Sequence, residues 1–242
     1  SLVIINKIIK RFKKNTSIEA TKWAAENTEN FNTFAEAINK EIYEESITFS
    51  KNLDEKAYEK LSNLNIDLGG GGFFQLLYFI TRLRKPKIVV ETGVAAGFSS
   101  QSILSALYNN KYGTLYSSDF PYFRIKNPEK YIGFIVDEKL KKNWNLYIEG
   151  DEFALPKIVK NFDKIDLFHY DSDKSYEGKM WALPKLWGAI KTGGILVCDD
   201  VNDNLAFKHF CESEKVHPVI VKTFDSQVQK YVGIAVKIIT RK

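Results

Sequence analysis

The sequence predicts an α/β protein: a mostly parallel, seven-stranded sheet that closes with an antiparallel strand at one edge and is preceded by helices. Three observations carry this. From residue 88 onward, strand-sized apolar runs alternate with segments of helical period. Lys87 to Ser100, KIVVETGVAAGFSS, reads as a buried strand, a glycine turn and a helix N-terminus in succession. And five consecutive predicted parallel strands each run straight into a carboxylate: Glu91, Asp119, Asp151, Asp171 and the Asp199–Asp200 pair.

The elements follow in order. Within residues 1–14, Ile4, Ile5, Ile8, Ile9 and Phe12 recur at helical spacing with Lys7, Lys10, Arg11, Lys13 and Lys14 between them, a basic amphipathic helix. One use of such a helix is weak peripheral contact with an anionic membrane; the plainer one is packing on its own domain or on a partner subunit, which leaves a homo-oligomer open. Residues 15–68 keep a helical pattern, Phe34, Ile38 and Ile42 and then Leu53, Ala57 and Leu61 lying four apart, and are expected to form a cap of about three helices. Gly69 to Gly72 make a joint, and residues 69–242 form the main domain, opening with an apolar helix from Phe73 to Leu83.

The first strand fills Lys87 to Val90. The later ones are expected at Thr114 to Ser118, Asn145 to Ile148, Ile165 to Tyr170 and Ile195 to Cys198, the last preceded by a helix that stops at Gly193-Gly194. Val219 to Thr223 and Tyr231 to Ile239 complete the sheet as an antiparallel pair.

Composition narrows the function. Apolar content of 44% and charged content of 27% fit a soluble globular chain, and the longest apolar runs are strand-sized, too short to span a membrane. Cys198 and Cys211, without a C-x-x-C, suggest neither a disulfide framework nor a zinc site, so a cytoplasmic setting is expected. Five of the 35 basic residues lie in residues 1–14, leaving 30 against 30 acids; that neutral body argues against nucleic acid as a partner.

The turn after the first strand lets a ligand approach bare backbone, and the helix behind it offers unpaired N–H groups to an anion. Dinucleotide sites want G-x-G-x-x-G, whereas Ala95 and Ala96 occupy the region of the second glycine, which weakens an NAD-binding oxidoreductase; no Gly-Lys-Ser/Thr follows, which excludes a P-loop. In open parallel sheets ligands bind outside the carboxyl ends of the strands, so the five strand-end acids should converge on one crevice. Like charges gathered there are unfavourable unless a cation or a hydroxyl-bearing ligand uses them.

Glu91, Gly93 and Gly97 in E-x-G-x-x-x-G spacing resemble motif I of class I S-adenosylmethionine (SAM) methyltransferases, a Rossmann-like fold. From about Gly72 to Asp200 the chain looks like their O-methyltransferases, similar to both the caffeoyl-CoA and catechol group and the macrocin-type sugar group. The resemblance implies that Glu91 and Ser99 face the methionine end of SAM, Gly93 and Gly97 form the turn beneath it, Asp119 holds the ribose hydroxyls and Asp151 lies beside the adenine. DLFHYDSDKSYEG and GGILVCDD match the D-x-D-K-x-x-Y stretch and the paired acidic strand end. They imply that Asp171, Asp199 and Asp200 bind a divalent metal (Mg²⁺, Ca²⁺ or Mn²⁺) and that Lys174 stands beside the reacting hydroxyl. The caffeoyl-CoA group has Asp-Asn where this chain has Asp199-Asp200, and a related set has histidine at the Lys174 position.

The expected activity is therefore SAM-dependent O-methylation of a small sugar, polyol or catechol-like acceptor, metal-assisted, with Lys174 and Asp171 as catalytic residues. Lys174 would take the proton if desolvated; a salt bridge to Asp171 or Asp173 is its plain alternative. His169 is expected to be a core histidine with a satisfied hydrogen bond, and His209 and His217 lack ligand-like spacing. Tyr176 and Trp181 wall the acceptor pocket or pack a helix, and Trp187 packs. The alternatives are the oxidoreductase or a methyltransferase-like binding module without chemistry.

Overall fold

The structure, a computed structural model, describes residues 17–64, 66–69, 71–122, 125–162, 164–225 and 228–238. The predicted amphipathic helix at residues 1–14 lies outside them. Three helices come first, α1 (Ser17–Glu26), α2 (Phe31–Ile38) and α3 (Lys40–Leu61), with a two-residue strand β1 (Thr28–Glu29) between the first two. Asn30 and Asn39 begin α2 and α3, their side chains accepting from the N–H groups of Thr33 and Ile42.

Then follow α4 (Phe74–Arg84), β2 (Ile88–Thr92), α5 (Phe98–Asn110), β3 (Thr114–Ser118), β4 (Trp144–Tyr147), α6 (Asp151–Lys160), β5 (Ile165–Tyr170), α7 (Tyr176–Ala189), β6 (Ile190–Cys198), α8 (Ala206–Glu214), β7 (Val219–Asp225) and β8 (Val228–Val236).

The sheet runs β1-β7-β8-β6-β5-β2-β3-β4, with β8 antiparallel to both β6 and β7 and every other pairing parallel. Alternation of side chains gives it two apolar faces. Val89, Leu115, Leu167, Ile195 and Val197 pack against α4 and α5, joined by Phe31 and Ala35 of α2; Val90, Phe168, Tyr170, Leu196 and Cys198 pack against α6, α7 and α8, joined by Ala24 of α1. The chain winds outward from β2 through β3 to β4 and then returns to place β5 on the other side of β2. That reversal opens a crevice at the carboxyl ends of β2 and β5.

The predicted architecture holds, with differences of detail. Among the described residues the sheet has eight strands, because β1, only two residues long, leaves no periodic signal. β2 runs through Glu91 and Thr92, polar but fully buried, so hydrophobicity alone ends the strand too early. β6 begins at Ile190 and passes through Gly193-Gly194 instead of starting after them; Gly193 N–H donates to the Lys237 carbonyl at 2.7 Å. The antiparallel strand is not outermost, since β8 is inserted between β6 and β7.

Candidate functional site

At the crevice lies a cavity of about 580 Å³, lined by Gly72, Gly93, Ser99, Asp119, Asp151, Asp171, Lys174 and Lys230 among others. Its size is that of a small-molecule site. Gly93, with φ of 80°, forms its inner edge, and a Cβ there would collide with the Asp171 carbonyl oxygen. Only glycine fits, because the β2 turn lies directly against the end of β5. Gly97, φ 101°, precedes α5 with no side-chain cap; a Cβ would stand 2.8 Å from Gly133 Cα. The uncapped first turn of α5 brings Phe98 and Ser99 to the cavity wall with unspent N–H groups, a seat for a carboxylate.

Asp119 fixes the turn that precedes this helix. Its Oδ2 accepts from the Val94 and Ala95 N–H groups at 2.9 and 2.7 Å, and its Oδ1 from Phe120 N–H at 2.6 Å. Burial raises its carboxyl above the usual range against the pull of these donors. Two carboxylate oxygens offer about four lone pairs, so capacity remains for a ligand hydroxyl. Asp151 begins α6 and ties two strand ends together: Ser118 Oγ donates to its Oδ1 at 2.8 Å, and Ser172 donates to its Oδ2. Leu68 is fastened to the same rim, its carbonyl oxygen accepting from the Tyr122 hydroxyl at 2.9 Å.

Glu91 does not line this cavity. It lies beneath it, in register with Ser117 on β3 and His169 on β5, so the three form one polar row across the α4–α5 face of the sheet. Its Oε2 accepts from Ser100 and Ser117 at 2.6 and 2.7 Å, and its Oε1 lies 3.6 Å from His169 Nδ1. The other ring nitrogen, Nε2, lies 3.5 Å from Asp199 Oδ1. His169 is thus a core histidine, but instead of a satisfied hydrogen bond its two nitrogens face two carboxylates. Burial pulls its pKa down, but Asp199 and Glu91 outweigh that and push it up to about 10, so the ring is an imidazolium at neutral pH.

Asp171 and Asp199 both turn an oxygen toward Gly72, where a Cβ would be 2.6 Å from Asp199 Oδ2. Burial, then Asp199, pushes Asp171 up to about 7. Asp200, in the left-handed region at φ 51°, points elsewhere: its Oδ2 takes the Lys174 ammonium and its Oδ1 lies 3.6 Å from Lys230 Nζ. Burial opposes the charges on both partners, but the pair prevails, holding Asp200 below the usual carboxylate range and Lys174 above the usual lysine value. Lys179, 1% exposed, donates to the Asp200 and Asp199 carbonyls at 2.6 and 3.2 Å. Among the described residues no three His, Cys, Asp or Glu side chains are grouped to hold a metal ion. The expected Asp171, Asp199 and Asp200 centre does not fit this arrangement, because the third carboxylate is turned onto two lysines.

The cavity thus brings together Gly93, Ser99, Asp119, Asp151, Asp171 and Lys174 of the expected residues. Trp181 lines a smaller neighbouring hollow with Phe153, Tyr176 bonds His209 Nδ1 at 3.0 Å, and Trp187 packs in the core. Lys230, Lys179 and Tyr122 carry no sequence signal. His169 carries a weak one, its even spacing from Asp171 along a strand. No helix among the described residues is long and apolar enough to cross a membrane.

Comparison with known proteins agrees with this fold. Residues 90–201 match the family model described as a methyltransferase domain. No curated protein matches the chain. Among solved structures, it is similar to the O-methyltransferase TomG from Streptomyces achromogenes, involved in tomaymycin synthesis and crystallised with SAM: TM-score 0.53, 15% identity, 68% of this chain and 79% of that one. It is likewise similar to an O-methyltransferase from Bacillus cereus in complex with SAH: TM-score 0.55, 13% identity, 88% of this chain and all of that one. The fold of the chain is the α/β Rossmann-like methyltransferase fold.

Proposed function

We propose that the chain is a SAM-dependent methyltransferase acting on an oxygen of a small hydroxylated acceptor, of the sugar, polyol or catechol-like kind. The observation that carries this is the meeting, in one cavity, of the glycine turn and Asp119 with Asp171 and Lys174. The methyltransferase-domain match and the SAM- and SAH-bound relatives support it. In this reading Gly93, Gly97, Ser99, Asp119 and Asp151 hold the cofactor, the α5 N-terminus takes its carboxylate, and Glu91 supports the turn from below.

When bound, SAM supplies a methyl group on a sulfonium; its S–C bond breaks with the electron pair going to sulfur as the acceptor oxygen forms the new O–C bond. The protein's part is to align that oxygen and to remove its proton. Asp171, in the cavity and raised toward neutral pH, accepts the proton. Lys174, kept charged by its carboxylates, stabilises the negative charge developing on the oxygen instead of acting as the base.

Calorimetric titration with SAM, SAH and NAD, followed by transfer of labelled methyl to a panel of hydroxylated acceptors, tests the proposal. SAH binding with transfer is expected. NAD binding without SAH binding would replace it with the oxidoreductase, and SAH binding without transfer to any acceptor would leave the binding module. The stretch at residues 1–14, with five cations and an apolar stripe, supports a separate weak contact with anionic lipid, about 1 kcal/mol per basic residue. Liposome flotation of the full chain against one starting at Asn15 measures it.

A further inference from the structure

We infer that the positive charge required by the strand-end carboxylates is built into the chain, from Lys174, Lys230 and Lys179, and that the site works without a resident divalent ion.

Four acids, Glu91, Asp171, Asp199 and Asp200, stand at adjacent strand ends, too close for all to be charged without compensation. Each basic group meets a different part of them. Lys174 and Lys230 take the two oxygens of Asp200. The His169 ring spans Glu91 and Asp199, 3.6 and 3.5 Å away. Lys179, buried in α7, holds the carbonyls of Asp199 and Asp200 and so fixes the left-handed turn that points Asp200 at its lysines.

A hard divalent ion takes six or more oxygens, water among them, and the expected centre asks three carboxylates of the chain to converge on one point. Here the Asp200 oxygens converge on ammonium groups, and only Asp171 and Asp199 share a direction. An ion beside those two would also have the Lys174 ammonium, which lines the same cavity as Asp171, as a near neighbour that repels it.

The consequence for the acceptor rests on the methyl-transfer reading. A divalent ion chelates two oxygens of a vicinal diol; an ammonium, with three separate N–H donors, engages a single hydroxyl without needing a second oxygen beside it. The site therefore accepts a lone hydroxyl as readily as a vicinal pair.

The test uses Mn²⁺ as probe and the full chain, with calorimetry and the paramagnetic resonance spectrum of the free ion as readouts. The parent is expected to show no saturable Mn²⁺ binding up to about 5 mM, above the weakest biological hard-cation sites near 10⁻³ M. The Lys174→Met/Lys230→Met double variant, which releases Asp200, should bind Mn²⁺ at least tenfold more tightly than the parent. Lys230→Met alone, with a smaller gain, serves if the double variant does not fold. Stoichiometric sub-millimolar Mn²⁺ binding by the parent, lost in Asp200→Asn, overturns the inference. So does a folded double variant that binds no better than the parent. SAH titrated in the same experiments keeps the two questions apart: failure to bind SAH sinks the methyl-transfer reading and leaves the charge arrangement standing.

Discussion

Gly93 lies against the carbonyl of Asp171 so closely that the β2 turn and the end of β5 leave no room for a Cβ. Gly93→Ala should therefore destabilise the fold by about 2–5 kcal/mol, combining a left-handed backbone penalty of about 1–2 with overpacking of about 1–3. Urea unfolding measures this. A midpoint equal to the parent's would mean the turn is free to move away from β5.

Asp119→Ala removes the acceptor for three backbone N–H groups. The turn that carries the cofactor seat loosens, and any ligand hydroxyl loses its partner, so SAH affinity should drop by about 1–3 kcal/mol, roughly five- to 150-fold. Calorimetry that finds SAH affinity unchanged would remove Asp119 from the cofactor site.

These two positions show what the sequence makes legible. The turn glycines and strand-end acids stand beside their own strands, so local spacing is enough to find them, and β3 and β5 are read to the residue. The rest of the site depends on neighbours distant in the chain. His169 acquires its role only because β5 pairs β2 in a register that sets it beside Glu91, and Lys230 only because β8 passes beside β6. The turn at Asp199–Asp200 is a local acidic pair in sequence; Lys179 on α7 decides which way it faces. Strand-end acids alone therefore overstate the case for a metal.

Asp171→Asn tests the carboxyl pushed up to about 7. Between the ordinary value of 3.8 and about 7, the native state keeps a proton that the unfolded chain has lost. Stability is therefore lost as pH rises through this window, and the parent's melting temperature should decline relative to that of Asp171→Asn. If Asp171 is also the base, parent turnover rises over the upper part of the same window. Parallel melting curves from pH 4 to pH 8 would show that Asp171 titrates like an exposed carboxylate.

His169 gives the opposite test, at alkaline pH. Its folded value is raised from 6.5 to about 10, so its stabilisation is complete below the first figure and is lost as pH climbs through the second. His169→Leu leaves two buried carboxylates without their cation and should cost about 3–5 kcal/mol near neutral pH, with the gap to the parent narrowing toward pH 10. Chemical denaturation across this range decides it. A constant gap would make the histidine a packing residue.

Lys174→Met should lower kcat about 10²-fold or more while leaving SAH affinity near that of the parent, as for loss of one preorganised charge at a developing oxyanion. Stopped-turnover assays with a competent acceptor separate the two quantities. A fall in SAH affinity with kcat unchanged would assign the lysine to cofactor binding.

The position of β8 has a bearing on how the molecule is made. Lys230 comes from the strand that enters the sheet last in sequence yet sits between β6 and β7, and β7 has no neighbour other than β1 until β8 arrives. While the ribosome is still extending the chain, β2 to β6 can assemble with their acids in place, but Asp200 lacks one of its two lysines and the sheet has an open edge. The charge balance at Asp200 is thus complete only when that strand is in place. A chain cut before residue 230 would present β6 as an open edge and leave Asp200 with one lysine fewer.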